Sequence, residues 1–361
     1  MNKRFYAVIL AGGRGERFWP LSTSQLPKQL LSLVGGKPLL TRAFERLKGL
    51  IPPSRVYVIT NRDLVAATRR AVPAVPRQHI IGEPIGRDTA AAIAVGGALV
   101  SARDPDAAFC VLTADHMIGD LDVFRRSLRA SLELGLVEDV LVTIGMKPTE
   151  PSTAYGYIES STPMASRRGV GFRRVHRFVE KPDLEKAKRY CAAARYFWNS
   201  GMFIWSARSL ETALGRHRPA LARMMADLRP RAGTPSFAPA LKRHYAALEK
   251  ISIDYALMER ANNIVMAEAE FAWDDLGSWT ALENQLPQDA LGNVVLGSCA
   301  SLASAGNIVV SKGRLTALIG VTDMVVVQAG GVTLVCPKAR AQDVKTMVER
   351  LRASGRHGGV L

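Results

Sequence analysis

Cysteine is scarce, with Cys110, Cys191, Cys299 and Cys336 the only four in 361 residues, and no two form a C-x-x-C pair. That spacing excludes a disulfide framework and a paired-cysteine zinc site, and leaves four reduced thiols. Long apolar runs are also missing. The longest, residues 90–100, is too short to span a membrane and is built from small residues. Lys3 and Arg4 precede an apolar stretch over 5–11, but Gly12, Gly13 and Arg14 follow at once, which leaves no room for a signal-peptide core and its small-residue cleavage site. The stretch reads as a first strand, and the protein as cytoplasmic with no membrane partner.

Charge of one sign dominates without clustering. Lys plus Arg number 48 and Asp plus Glu 32, a formal net charge of +16. The densest basic pairs, Arg125-Arg126, Arg167-Arg168 and Arg173-Arg174, are short and not interleaved with aromatics. A solvated basic surface therefore accounts for them better than a nucleic-acid interface does. Hydrophobic residues at 48% and charged residues at 22% exclude wholesale disorder, and the length suits two domains.

The first half alternates strand and helix patterns. Short apolar or β-branched runs at 5–10, 56–60, 79–82, 109–113 and 140–145 read as strands, and the segments 39–50, 64–72, 89–102 and 123–134 as helices. Asp88 and Thr89 stand where an N-cap belongs. This order predicts an α/β fold: a Rossmann-like, mostly parallel sheet covered on both faces, with ligands at the carboxyl ends of its strands. Residues 229–239, rich in Pro, Gly and Arg, read as a surface loop. Past 287 the apolar runs at 293–296, 307–310, 315–319, 324–328 and 332–335 follow one another with no helix between. They predict a small β-rich, β-helix-like domain over 287–361, closed by an amphipathic helix over 339–351, with residues 353–361 frayed. Residues 1–286 form the first domain.

The most informative segment follows the first strand: Leu10-Ala11-Gly12-Gly13-Arg14-Gly15-Glu16-Arg17-Phe18-Trp19-Pro20-Leu21-Ser22, then Pro27-Lys28-Gln29. Glycines after a strand let backbone N–H groups close on an anion, and Arg17 and Lys28 add positive charge beside them. The string is not a P-loop, because no G-x-x-x-x-G-K-[ST] occurs. It is also not a dinucleotide fingerprint, because Phe18 stands where a third glycine or alanine is wanted.

The whole string resembles the signature of the sugar-nucleotide pyrophosphorylases, and of their mannose-1-phosphate guanylyltransferase branch in particular. Further blocks extend the resemblance over nearly the whole chain: 83–90, Thr113-Ala114-Asp115-His116, 154–158, 178–182, 198–203, 273–279, and near the end 335–338 and 341–344. The resemblance implies a nucleotidyltransferase that joins GTP to mannose 1-phosphate, forming GDP-mannose and pyrophosphate with Mg²⁺ or another divalent cation. It implies that the nucleotide is held by Leu10, Ala11, Gly12, Gly13, Gly15, Arg17 and Lys28, with Glu83, Pro84, Gly86, Arg87, Asp88 and Thr89 lining the guanine and ribose pocket. Asp115 and Asp275 would hold the metal and, with Arg17 and Lys28, form the catalytic set. Gly156, Glu180, Asn199 and Gly201 would contact the mannose ring, with Lys181 near its phosphate.

The attacking phosphate oxygen is already ionised near neutral pH, so His116 reads as structural rather than as a base. Trp279 reads as a core aromatic, and Asp274 as a neighbour able to exchange roles with Asp275. The chain departs from the branch at Thr23, Ser24 and Gln25, where basic residues are usual, at Leu30-Leu31, and at Asp88, which replaces an asparagine. Longer members of the branch add a sugar-phosphate isomerase domain. This sequence ends before one, so no isomerase activity is expected. Two rivals remain: a transferase for another hexose or base, and a catalytically silent sensor of GDP-mannose. A homodimer is expected.

Overall fold

The computed structural model describes residues 2–361, and the chain divides into two compact units. The first takes the chain up to Gly12, then Ala43–Ala114 and Ile118–Trp273; the second takes Gly13–Arg42, Asp115–Met117 and Asp274–Leu361.

The first unit is built on a nine-stranded sheet. Its strands are β1 (Phe5–Ala11), β2 (Val56–Asn61), β3 (Ile80–Glu83), β4 (Ala108–Thr113), β5 (Leu141–Met146), β6 (Tyr157–Arg167), β7 (Val170–Val179), β8 (Tyr196–Ser206) and β9 (Ile264–Glu268). They lie in the order β3-β2-β1-β4-β8-β5-β9-β7-β6. β1–β6 and β9 share one direction, and β7 and β8 run against them. The sheet is thus the mostly parallel one that the strand–helix alternation predicts.

Helix Thr89–Arg103 shows why glycines stand at 96 and 97. It is buried from Ala90 to Ser101. A Cβ on Gly96 would come within 2.8 Å of Val8 on β1, and one on Gly97 within 2.9 Å of Leu210 on helix Ala207–His217. The helix backbone is packed closely on two faces, against β1 and against helix Ala207–His217, which larger side chains at 96 and 97 would prevent. Residues 229–239 are not wholly loop. Arg229–Arg231 make a 3₁₀ turn, and helix Phe237–Ala247 begins before Pro239, which falls in the first turn where a missing N–H costs nothing.

The second unit carries a four-stranded sheet of β10 (Val294–Leu302), β11 (Ile308–Ile319), β12 (Met324–Ala329) and β13 (Val332–Pro337), in that order. β10, β11 and β12 are parallel, coil-like rungs, and β13 turns back through Gly330 and Gly331, both at positive φ as a tight hairpin turn requires. Buried asparagines stack between rungs: Asn307 donates through Nδ2 to the Asn293 Oδ1 at 3.0 Å, and its own Oδ1 accepts from the Met324 N–H at 2.9 Å. The runs at 307–310 and 315–319 are one strand, because residues between Ser311 and Leu315 loop out where the register to β10 shifts.

This sheet does not close its core alone. Val294, Ile308, Val310, Val325 and Val327 pack in one cluster with Phe18, Trp19, Leu21, Leu276, Trp279, and Val344 and Val348 of the final helix, Val344–Ala353. The last residues are not frayed: the indole N–H of Trp19 donates to the Val360 carbonyl at 2.8 Å, and the Ser24 hydroxyl to the Leu361 carbonyl at 2.9 Å.

Candidate active site

In the second unit the glycine loop is moulded onto a lysine. Gly15 has φ 65, and a Cβ there would stand 2.2 Å from the Lys28 Cβ and 2.9 Å from its backbone nitrogen. Only glycine meets both the left-handed backbone and the close approach. The Ser22 hydroxyl donates to the Gly15 carbonyl at 2.6 Å and holds the turn. Phe18, the residue that breaks the dinucleotide fingerprint, is fully buried with its ring centroid 4.9 Å from that of Trp279. Trp279, a core aromatic as expected, donates through its indole N–H to the Trp19 carbonyl at 3.3 Å. Of the residues that depart from the branch pattern, Thr23 accepts from the Leu26 N–H and Ser24 holds the chain end, so both serve local structure.

Lys28 is 7% exposed, and its ammonium group donates to the Asp115 Oδ2 at 2.9 Å and to the Asp275 backbone carbonyl at 2.6 Å. Two aspartates far apart in sequence are thereby gathered on one lysine. Burial alone would raise the Asp115 carboxyl, but the charges of Lys28 and His116 outweigh it and hold the group below the usual carboxylate range. The His116 Nε2 lies 3.9 Å from the Asp115 Oδ1. Asp274 is engaged in the local turn: its Oδ1 accepts from the Leu276 N–H at 2.7 Å and its Oδ2 from the Gln285 amide at 3.2 Å. Those bonds stabilise the turn in which Leu276 sits at φ 47.

Arg14, Gly15, Arg17, Lys28, Asp115, His116, Asp275 and Gly277 line one cleft of about 310 Å³, together with Glu16 and Lys345, which sequence reasoning did not single out. Gly13 borders open space, where a Cβ would meet nothing within 4 Å.

Asp115 and Asp275 suit a hard divalent cation that brings its remaining oxygens from phosphate and water. A Cβ at Gly277 would come 3.1 Å from the Asp275 Oδ1, so the bare backbone there leaves that carboxylate room. Among the described residues no group of three or more His, Cys, Asp or Glu side chains gathers as a ready-made metal site.

In the first unit, Leu10 and Ala11 end β1, and the Thr60 hydroxyl and Asn61 amide donate to the Ala11 and Gly12 carbonyls at 2.9 and 3.3 Å. A Cβ on Gly12 would stand 3.3 Å from the Glu83 Oε2. Glu83 is 7% exposed at the end of β3 and accepts from the Tyr245 hydroxyl at 3.0 Å. Burial pushes its carboxyl up to about 7, against the pull of the Tyr245 bond. Pro84 and the exposed Gly86 continue the turn. Arg87 is engaged elsewhere: its guanidinium donates to the Tyr245 and Ala246 carbonyls at 2.7 and 3.1 Å, at the C-terminus of helix Phe237–Ala247. Asp88 caps helix Thr89–Arg103, accepting from the Thr89 N–H at 2.8 Å, and the Thr89 hydroxyl accepts from the Ile253 N–H at 2.9 Å.

Gly156, Glu180, Asn199 and Gly201 come together at the start of β6, the end of β7 and the middle of β8. A Cβ on Gly156 would stand 2.3 Å from the Glu180 Oε2, an oxygen that is buried with no hydrogen-bond partner among the described residues. The Lys181 ammonium donates to the other oxygen, Glu180 Oε1, at 2.5 Å. Asn199 is fixed on both sides of its amide. Oδ1 accepts from the Gly201 N–H at 3.1 Å and the Thr143 hydroxyl at 3.2 Å, and Nδ2 donates to the Asp254 Oδ1 at 2.9 Å. Burial, helped by the neighbouring Glu180 charge, raises Asp254 to about 6. Asp254 and Tyr245 escaped sequence reasoning because neither stands in a block that follows a strand. The one local signal, a single π-helical turn over Asp254–Met258, is a feature of the backbone. Trp198 is buried, and Tyr155 sets its ring edge-on to Trp198 and Trp273 at 5.0 and 5.2 Å.

Residues 6–290 match the nucleotidyl transferase family model, and residues 297–351 match the MannoseP isomerase/GMP-like beta-helix domain. The chain is 36% identical to the mannose-1-phosphate guanylyltransferase of Escherichia coli K12 over 99% of its own length and 75% of that protein's. It is 35% identical to the xanthan biosynthesis protein XanB of Xanthomonas campestris pv. campestris, covering 97% of this chain and 73% of that one. A crystal structure described as a mannose-1-phosphate geranyltransferase from Thermus thermophilus superposes with a TM-score of 0.85 at 37% identity, covering 97% of this chain and 99% of that one.

Proposed function

We propose, from the premise that this chain belongs to the mannose-1-phosphate guanylyltransferase family of nucleotidyl transferases, that it converts GTP and α-D-mannose 1-phosphate to GDP-mannose and diphosphate. The observation that carries the reading is the cleft in which Lys28 bridges Asp115 and the Asp275 carbonyl beneath the Gly15 loop.

The sugar-phosphate oxygen attacks the α-phosphorus in line, the bond to the β-phosphate oxygen breaks, and pyrophosphate leaves with the electron pair. No covalent enzyme intermediate forms. Arg17, Lys28 and the loop N–H groups neutralise charge as it shifts onto the leaving group. Lys28 is already positioned by two oxygen partners, so it responds to the transition state without reorganising. Asp115 and Asp275 would hold Mg²⁺, which would supply Lewis-acid polarisation of the phosphates.

Glu83, against Gly12, provides a carboxylate for the donor edge of guanine. Pro84 and Gly86 line the base pocket, while Arg87, Asp88 and Thr89 shape it through the backbone they fix. Glu180, packed onto Gly156, together with Asn199 and Gly201 recognises sugar hydroxyls: the Glu180 Oε2, without a hydrogen-bond partner among the described residues, is an acceptor for a donor. Lys181 serves the sugar's phosphate. Residues 1–286 form the transferase domain and 287–361 the β-rich domain of a cytoplasmic homodimer. Among the described residues no helix is long and apolar enough to cross a membrane. Incubation of the purified chain with GTP, mannose 1-phosphate and Mg²⁺ tests this: GDP-mannose identified by mass supports the reading, and intact substrates after incubation with well-folded protein contradict it.

A further inference from the structure

Resting on the reading of the cleft as the triphosphate site, we propose that Lys345 of the final helix is a phosphate-binding residue of that site. The sequence block around it, Gln342-Asp343-Val344, has no role in the scheme above. Its helix, Val344–Ala353, buries Val344 and Val348 in the core cluster that also holds Phe18 and Trp19. Burying that face turns the adjacent Lys345 off the core, and it lines the cleft with Arg14, Arg17 and Lys28.

The helix is tied to the loop beyond its apolar face. Arg352 pairs with Glu16 at 3.0 Å, and Trp19 donates to the Val360 carbonyl at 2.8 Å. The lysine therefore reaches the cleft from a backbone fixed to the signature loop itself.

The charges point the same way. Lys28, the most buried cation of the cleft, pairs with Asp115, and Glu16 with Arg352. Arg14 and Arg17 make no ion pair among the described residues. Lys345 has only a contact 3.6 Å long with Glu349 one helical turn on, with both side chains about half exposed, an arrangement worth little. A triphosphate brings several negative charges at once, and a lysine on a flexible stem meets them as a movable point charge. The β-rich domain thus contributes to the nucleotide site directly.

Calorimetric titration of the full chain with inorganic pyrophosphate, GTP and mannose 1-phosphate, each with Mg²⁺, tests the assignment on wild type, Lys345→Met and Lys345→Arg. Met keeps the stem and removes the charge. The expected result is about tenfold weaker binding of pyrophosphate and GTP by Lys345→Met, recovery in Lys345→Arg, and unchanged mannose 1-phosphate binding and thermal midpoint. Unchanged pyrophosphate affinity in folded Lys345→Met overturns the proposal, and so does an equal loss for mannose 1-phosphate. Failure of the parent reading is separate: wild type that binds pyrophosphate yet never turns over leaves the Lys345 comparison intact.

Discussion

The Gly15 and Lys28 backbones are packed so closely that a methyl group on Gly15 would stand 2.2 Å from the Lys28 Cβ. The glycine loop is therefore part of the seat of the lysine and not only a lid on phosphates. Gly15→Ala combines a left-handed backbone with a steric collision. It is expected to lower stability by about 1–3 kcal/mol and to displace Lys28. Urea unfolding together with turnover checks this: stability and kcat fall together.

Lys28→Ala removes the charge proposed to act at the reacting centre. Loss of one such contact lowers kcat by about two to three orders of magnitude, with a smaller change in the KM for GTP. Steady-state kinetics on the variant read this out, and unchanged turnover removes Lys28 from the mechanism.

Asp275→Asn, or chelation of the wild-type enzyme, is expected to lower pyrophosphate release by about a hundredfold or more. The thermal midpoint of the nucleotide-free protein stays where it was, because the core around Trp279 needs no ion. Differential scanning fluorimetry with and without chelator checks the second half.

Glu83 makes stability depend on pH. Its carboxyl stands at about 7 in the folded protein against an ordinary 4.5. Between those values the folded protein keeps a proton that the unfolded chain has released. The contribution is present in full below pH 4.5, lost as pH rises to about 7, and level above it. The loss is at most about 3 kcal/mol, and Glu83→Gln flattens it. Urea midpoints at pH 5 and pH 8 for both proteins measure the difference.

Asp254→Ala frees the amide of Asn199. The expected effect is a rise in the KM for mannose 1-phosphate of about tenfold, with the KM for GTP unchanged. A parallel rise for GTP places Asp254 in general stability instead.

Strands β1 to β5 were legible because they announce themselves as apolar runs ending at Gly, Asn, Asp or Thr, and the helix at 89–103 because Asp88 caps it; β6 to β8, whose sequences mix in polar residues, and the short β9 were not. Lys28, Asp115 and Asp275 were legible as motif residues, but their convergence was not, since no local rule connects a 3₁₀ turn, a strand end and a loop. Which segments share the β-rich core was hidden for the same reason. Gly13–Arg42 leaves β1 and joins the β-rich tail because Phe18, Trp19 and Leu21 complete that core, and nothing in their spacing names the partner. Asp254 and Tyr245 act on Asn199 and Glu83 from outside every motif, and Lys345 reaches the cleft from a helix that reads only as amphipathic. The tail past 353 looked frayed because its composition is polar and glycine-rich, yet Val360 is fixed by one indole N–H.

The most direct test of the account is pyrophosphate release with Mg²⁺, crossing GTP, ATP and dTTP with mannose 1-phosphate and glucose 1-phosphate. Release mainly with GTP and mannose 1-phosphate, abolished in Lys28→Ala, is the predicted result. Release with another pair keeps the cleft and overturns the pockets at Glu83 and Asn199. No release from any pair in folded protein contradicts the account at its centre and favours a silent sensor of GDP-mannose.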